Sequence, residues 1–276
     1  MRYAEAVAAA PKGSRRFSPA DLARLSRPSL RHLFEPGPSA PPLEEAAAAL
    51  ASAGQALFAV ASALPPERGE RLLRLAQRPV AQAERDAAAQ RLVRGCFWAL
   101  AYELEPDLWA RLAEAEPISP ELLAALPVDG ALAVEVAAGT GRLTRHLVGR
   151  ARRVLAVEPC PPLRRRLLDA LEDVEVVAAF GQALPFPNGF ADVLLSCTTF
   201  GPDPPLGGER VAAELERCVR PGGRVVLVGP EAPEWWVARN YSRRTFPAPL
   251  MPPADPALED FFGTRRPPTE LLVKDL

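Results

Sequence analysis

Two glycines and two carboxylates carry the chemistry legible in this chain. In Val134-Glu135-Val136-Ala137-Ala138-Gly139-Thr140-Gly141-Arg142-Leu143-Thr144, an apolar run containing Glu135 ends in a turn built on Gly139 and Gly141. Glycine reaches dihedrals closed to other residues and puts no side chain between the backbone and a ligand. The residues after the turn read as a helix, whose free N–H groups and partial positive charge would face the same spot. Glu158 lies 17 residues after Gly141, at the end of a second short apolar run, Arg153 to Val157. A carboxylate there can accept hydrogen bonds from both hydroxyls of a ribose. A glycine turn and a carboxylate so placed suit a nucleoside without naming which one. A dinucleotide would use Glu158 equally, although its fingerprint wants a glycine where Thr144 stands. The plainer readings are an ordinary strand-to-helix turn and a surface carboxylate at a strand end.

Two later blocks extend the pattern. Val174 to Ala179 reads as a third strand, leading into Phe180-Gly181-Gln182-Ala183-Leu184-Pro185-Phe186-Pro187-Asn188-Gly189-Phe190-Ala191-Asp192-Val193-Leu194-Leu195-Ser196. Glu214 to Arg220 reads as a helix, Pro221-Gly222-Gly223 as its stop and turn, and Arg224 to Val228 as a fifth strand. In order and spacing, the blocks over residues 132–229 resemble the class I S-adenosylmethionine-dependent methyltransferases. The family's first motif is acidic-x-Gly-x-Gly-x-Gly, its third stretch D-A-x-x-L-P-F-P-D-x-S-F-D-V-V, and its last E-x-x-R-V-L-(R/K)-P-G-G. Ala137 stands where the family has its first glycine; this is mild if the backbone is extended and costly if φ is positive. Phe180 stands where the family often has an acidic residue reading the adenine amino group, and either stacks on the base or packs in the core. The resemblance implies a Rossmann-like doubly wound α/β sheet with S-adenosyl-L-methionine as cofactor. It places cofactor contacts at Glu135, Ala137, Gly139, Gly141, Glu158, Gly181, Gln182 and Ser196.

Methyl transfer from a sulfonium is an in-line displacement, in which orientation supplies up to about 7–11 kcal/mol. A general base adds about 10²–10⁴-fold, so the lack of an evident one does not exclude catalysis. The loop after strand four normally faces the methyl group in this fold; here it is Ser196-Cys197-Thr198-Thr199-Phe200-Gly201-Pro202-Asp203. It lacks the Asn/Asp-Pro-Pro-Tyr/Phe motif for nucleobase or glutamine amino groups. The candidates for catalysis are Asp203 as base and Thr198 as orienting group, set against a loop of turn-forming polar residues. Thr199, Tyr102, Trp235 and Trp236 are the substrate-pocket candidates, and Trp109 could close over the cofactor with Tyr102. His146, His32 and Cys197 read as packing or surface residues. The expectation is methyl transfer to a small, partly apolar molecule. The alternatives are a catalytically silent S-adenosylmethionine-binding or assembly protein, suggested by Ala137, Phe180 and the missing base, and an NAD-dependent oxidoreductase.

The elements that must position these residues divide the chain. Its 276 residues are nearly half hydrophobic and carry a net charge of −1, so no basic field steers it to nucleic acid. No apolar stretch reaches the ~18–20 residues of a membrane span. The four cysteines lack C-x-x-C spacing, which suits a reducing cytoplasm and offers no metal site. Residues 1–126 read as a helical domain serving as lid, substrate-shaping wall or homodimer contact, and residues 127–276 as the methyltransferase domain. Helices are expected from Ser18-Pro19, over 43–64, from Pro65-Pro66 to near Pro79, over 80–104, and from Pro106 and Ser119-Pro120. After Gly229 the tail is rich in proline and aromatics, with a helix over 256–262 and a last element over 270–276. The closing strand pair of the family fold is expected to be shortened or absent.

Overall fold

The computed structural model describes residues 3–203, 207–263 and 267–276. The chain forms two compact units, Met1–Leu108 with Ala254–Thr264, and Trp109–Pro253 with Arg265–Leu276. The division therefore falls earlier than the boundary near 126, for a packing reason. Ile118, Leu122 and Leu126 share a core with Val128, Ala133 and Leu143, so the segment before the first strand belongs to the sheet unit.

The first unit is helical: α1 (Tyr3–Ala9), α2 (Arg27–Leu33), α3 (Leu43–Leu50), α4 (Gly54–Ala63), α5 (Pro66–Ala76), α6 (Gln82–Gly95) and α7 (Phe97–Leu104). Two stretches expected as single helices are broken. Between α3 and α4, Ala53 leaves helical dihedrals at ψ 63° beside Gly54, a poor helix former. Between α6 and α7 the break is Cys96, after Gly95. Residues Pro19–Arg24 form a 3₁₀ turn, started by Ser18, whose N–H donates to Asp21. Buried Ala46 to Ala49 let α3 pack closely in a core with Leu50, Leu72 and Leu92. The helix over Pro256–Phe262 belongs to this unit, with the Phe261 ring 5.5 Å from Phe97 and 6.1 Å from Phe17.

In chain order, α8 (Pro106–Ala115) and α9 (Pro120–Ala124) lead into the sheet. Ser119 caps α9 by accepting the Leu122 N–H. The strands are β1 (Leu132–Val136), β2 (Arg153–Val157), β3 (Glu175–Val177), β4 (Ala191–Cys197), β5 (Val219–Val228), β6 (Ser242–Thr245) and β7 (Glu270–Asp275). Their order is β3-β2-β1-β4-β5-β7-β6; β7 runs antiparallel to both neighbours and the other pairings are parallel. Helix α10 (Pro161–Ala170) contributes to the core on one face, and α11 (Gly208–Arg217) and α12 (Pro233–Val237) to that on the other. Among the described residues no helix is long and apolar enough to cross a membrane.

Three expectations change. The closing strand pair is present. Strand β6, Ser-Arg-Arg-Thr, is exposed throughout and carries no hydrophobic signal, as suits a protected sheet edge. The segment after the glycine turn is not an α-helix. It mixes i−3 and i−4 hydrogen bonds around a 3₁₀ turn at Thr144–His146, because Gly141 (φ 91°) and Gly149 (φ 80°) bound it too tightly for a regular helix. This segment therefore offers no α-helix terminus beside the glycine turn. Finally, Pro221-Gly222-Gly223 does not end α11, which stops at Arg217. It bulges from β5, where Val219 pairs with Ala191 and Arg224 with Val193. The helix over Pro256–Phe262 is α13.

Candidate functional site

The strand order reverses between β1 and β4, and the crevice at the carboxyl ends of such strands is where open α/β sheets bind ligands. Strand β1 runs into Ala137 at φ 62°, followed by Gly139 at 59° and Gly141 at 91°. Ala137 thus holds the left-handed conformation that glycine takes without strain, the costly of the two alternatives. Its half-buried side chain packs against the core of the sheet unit. The turn is tied to β2 through Glu158, whose Oε2 accepts the Gly139 N–H and whose Oε1 accepts the Cys160 N–H, both at 2.8 Å. Burial pushes the Glu158 carboxyl up to about 7, against the pull of those two donors. An added β-carbon on Gly139 would lie 3.3 Å from the Trp109 indole nitrogen, so this ring forms one wall of the turn.

A second polar group lies beside the turn. Glu135 is buried and accepts a hydrogen bond from Thr144 Oγ1 at 2.6 Å. Burial raises its carboxyl to about 8; the Glu158 charge adds to this, while Thr144 and Arg142 oppose it. Arg142 joins three segments. Its Nη1 donates to Glu116 at 2.7 Å, and its Nη2 to Thr198 Oγ1 at 2.6 Å and to Cys197 Sγ at 3.1 Å. Thr198, at the tip of β4, is itself left-handed at φ 53°.

The remaining candidates are scattered. Gly181 is buried, and a β-carbon there would meet the Phe200 ring at 2.7 Å. Gln182 is half-buried, with its carbonyl accepting from Arg210. Ser196 Oγ is buried with no hydrogen-bond partner among the described residues. Thr199 bonds the Cys197 carbonyl, and Asp203 is half-buried just before residues outside the described set. Trp236 does not line a substrate mouth: it is fully buried, 5.2 Å from the Tyr241 ring, because its large apolar surface fills the core under β7. Trp235 is half-buried, with the Arg239 guanidinium 4.8 Å over its ring. Tyr102 lies in the helical unit, 5.9 Å from Trp98. His146 is half-buried, its pKa lowered by burial and by Arg145. Sequence reasoning missed Arg142 and Glu116, and nothing in their spacing marks them among so many surface charges.

Residues 134–227 match a family described as methyltransferase domain. Over those residues the chain is a methyltransferase domain. The chain is 27% identical over 154 residues to the chloroplastic 2-methyl-6-phytyl-1,4-hydroquinone methyltransferase of Arabidopsis thaliana, covering 53% of this chain and 44% of that protein. It is 32% identical over 103 residues to an uncharacterized methyltransferase of Mycobacterium tuberculosis, covering 37% and 41%. Among solved structures, a SAM-dependent methyltransferase from Aquifex aeolicus is similar at a TM-score of 0.41 and 18% identity, covering 52% of this chain and 92% of that one. The chain spans about half the length of the curated relatives it matches.

S-adenosyl-L-methionine is the cofactor of this domain family, and the residues present fit it. A carboxylate offers about four lone-pair sites. Glu158 has used one on each oxygen, which leaves acceptors for two hydroxyls. Gly139 itself adds no side chain to the turn.

Proposed function

We propose that this chain transfers the methyl group of S-adenosyl-L-methionine to a small, partly apolar molecule. The observation that carries this reading is the Glu158–Gly139 pairing at the strand ends, a buried carboxylate held against a glycine turn. What the cofactor supplies when bound is a methyl group on a sulfonium, ready for in-line displacement. Glu158 holds the ribose, and the backbone of 137–141 lies along the methionine portion. Gly181 and the Gln182 amide border the adenine, with Ser196 and Glu135 behind the turn. Trp109 keeps water from one side. Thr198, Thr199 and Asp203 stand on the loop that faces the acceptor, and orientation does most of the catalytic work. Every cofactor candidate lies in the sheet unit. A partly apolar acceptor is supported by the Arabidopsis relative, whose name gives a phytylated hydroquinone as its substrate.

Isothermal titration with S-adenosylhomocysteine tests the cofactor assignment, and radiolabelled methyl transfer to 2-methyl-6-phytyl-1,4-hydroquinone tests the acceptor class. No heat with folded protein at tens of micromolar overturns the first. Labelling of polar acceptors alone, in a panel that includes this hydroquinone, overturns the second.

A further inference from the structure

Thr198 is a β-branched residue at φ 53°, exposed at the tip of β4. Such a residue avoids the left-handed region, and it stays there only where its surroundings fix it. Two hydrogen bonds do so. Its N–H donates to the Val228 carbonyl at 2.8 Å. Its hydroxyl accepts from Arg142 at 2.6 Å. The first reaches neighbouring backbone in β5. The second links the tip of β4 to the glycine turn, and through Glu116 to the segment between α8 and α9. With 14% of its side chain exposed, Arg142 is locked between these partners, and Cys197 Sγ takes a further donor bond.

We propose that Arg142 is a positioning residue for methyl transfer: it fixes the strained Thr198 backbone and so sets the acceptor-facing loop against the cofactor turn. This rests on the proposed function, because the loop matters only if an acceptor meets the methyl group there. The guanidinium suits the task, being planar, permanently charged and able to bond Glu116 and Thr198 in one fixed geometry.

The test compares Arg142→Met, Thr198→Val, the double variant and Glu116→Gln, all in the full chain. Hydrogen exchange at the amide of residue 198 reads the anchor without any substrate. Arg142→Met and Thr198→Val are each expected to lower its protection by about tenfold. The double variant should be no worse than either, because both remove the same bond. With 2-methyl-6-phytyl-1,4-hydroquinone as acceptor, kcat should fall about 10- to 100-fold, while affinity for S-adenosylhomocysteine stays within about twofold. Glu116→Gln should give the same pattern, smaller. Unchanged amide protection in Arg142→Met overturns the inference, as do additive losses in the double variant or full turnover despite lost protection. A wild-type chain that binds no S-adenosylhomocysteine defeats the proposed function instead, and the exchange data still report on the anchor.

Discussion

Replacing Ala137 by glycine should hardly weaken the fold, although alanine-to-glycine changes normally do. At φ 62° the alanine β-carbon crowds the following carbonyl, at a cost of about 1–2 kcal/mol. Glycine removes that cost but frees the unfolded chain, which takes back about 0.4–1 kcal/mol. Losing a half-buried methyl group takes a further ~0.4 kcal/mol. The balance lies between about 0.4 kcal/mol lost and about 1.2 kcal/mol gained. Were Ala137 in an ordinary extended conformation, the same change would lose about 1 kcal/mol. Urea unfolding followed by tryptophan fluorescence separates the two, because Trp109, Trp235 and Trp236 all report on the sheet unit. The neighbouring Ala138 is buried and is not left-handed, so Ala138→Gly serves as the control and should lose about 1–2 kcal/mol. A loss of about 1 kcal/mol or more in Ala137→Gly would refute the left-handed turn.

Glu158→Gln should weaken S-adenosylhomocysteine binding about 10- to 100-fold, because hydrogen bonds to a charged acceptor are lost. In the wild type, affinity measured by titration calorimetry should tighten as pH rises through about 7, where Glu158 ionises and becomes the better acceptor. Stability should move the other way. Burial raises Glu135 to about 8 and Glu158 to about 7, both from 4.5, so the folded chain holds protons that the unfolded chain has released. Their contribution is complete below about pH 4.5 and is lost progressively as pH rises from there to the folded values; Glu135→Gln should therefore flatten the fall in urea midpoint between about pH 4.5 and 8. Thr144→Val leaves the Glu135 carboxyl buried without its partner and should cost about 1–3 kcal/mol in the same unfolding assay. Trp109→Ala should strip one wall from the glycine turn and speed S-adenosylhomocysteine release roughly tenfold in stopped-flow measurements, and an unchanged rate would remove Trp109 from the site.

Much of the fold and part of the site were legible because they rest on local chemistry. Buried parallel strands must be apolar along their length, so β1, β2 and β4 announce themselves as Val- and Leu-rich runs. The turn needs glycine, and the strand tip offers Glu158, so the motif and its spacing pointed to one crevice. The edge strand β6 stayed hidden because it is polar on both faces and exists only through pairing with β7. The missing helix after Gly141 stayed hidden because helical periodicity says nothing of the two positive-φ glycines that enclose the segment.

The sequence alone thus determined the class of sheet, the glycine turn and the carboxylate 17 residues beyond it, since these follow from residue type and spacing along the chain. Tertiary structure alone decided that Ala137 and Thr198 are left-handed, that Trp236 is core, and that Arg142 binds Glu116, 26 residues before it, and Thr198, 56 residues after it. These outcomes depend on which surfaces meet once the strands have paired, and a half-buried arginine owes its role to partners that only the folded chain brings within hydrogen-bond reach.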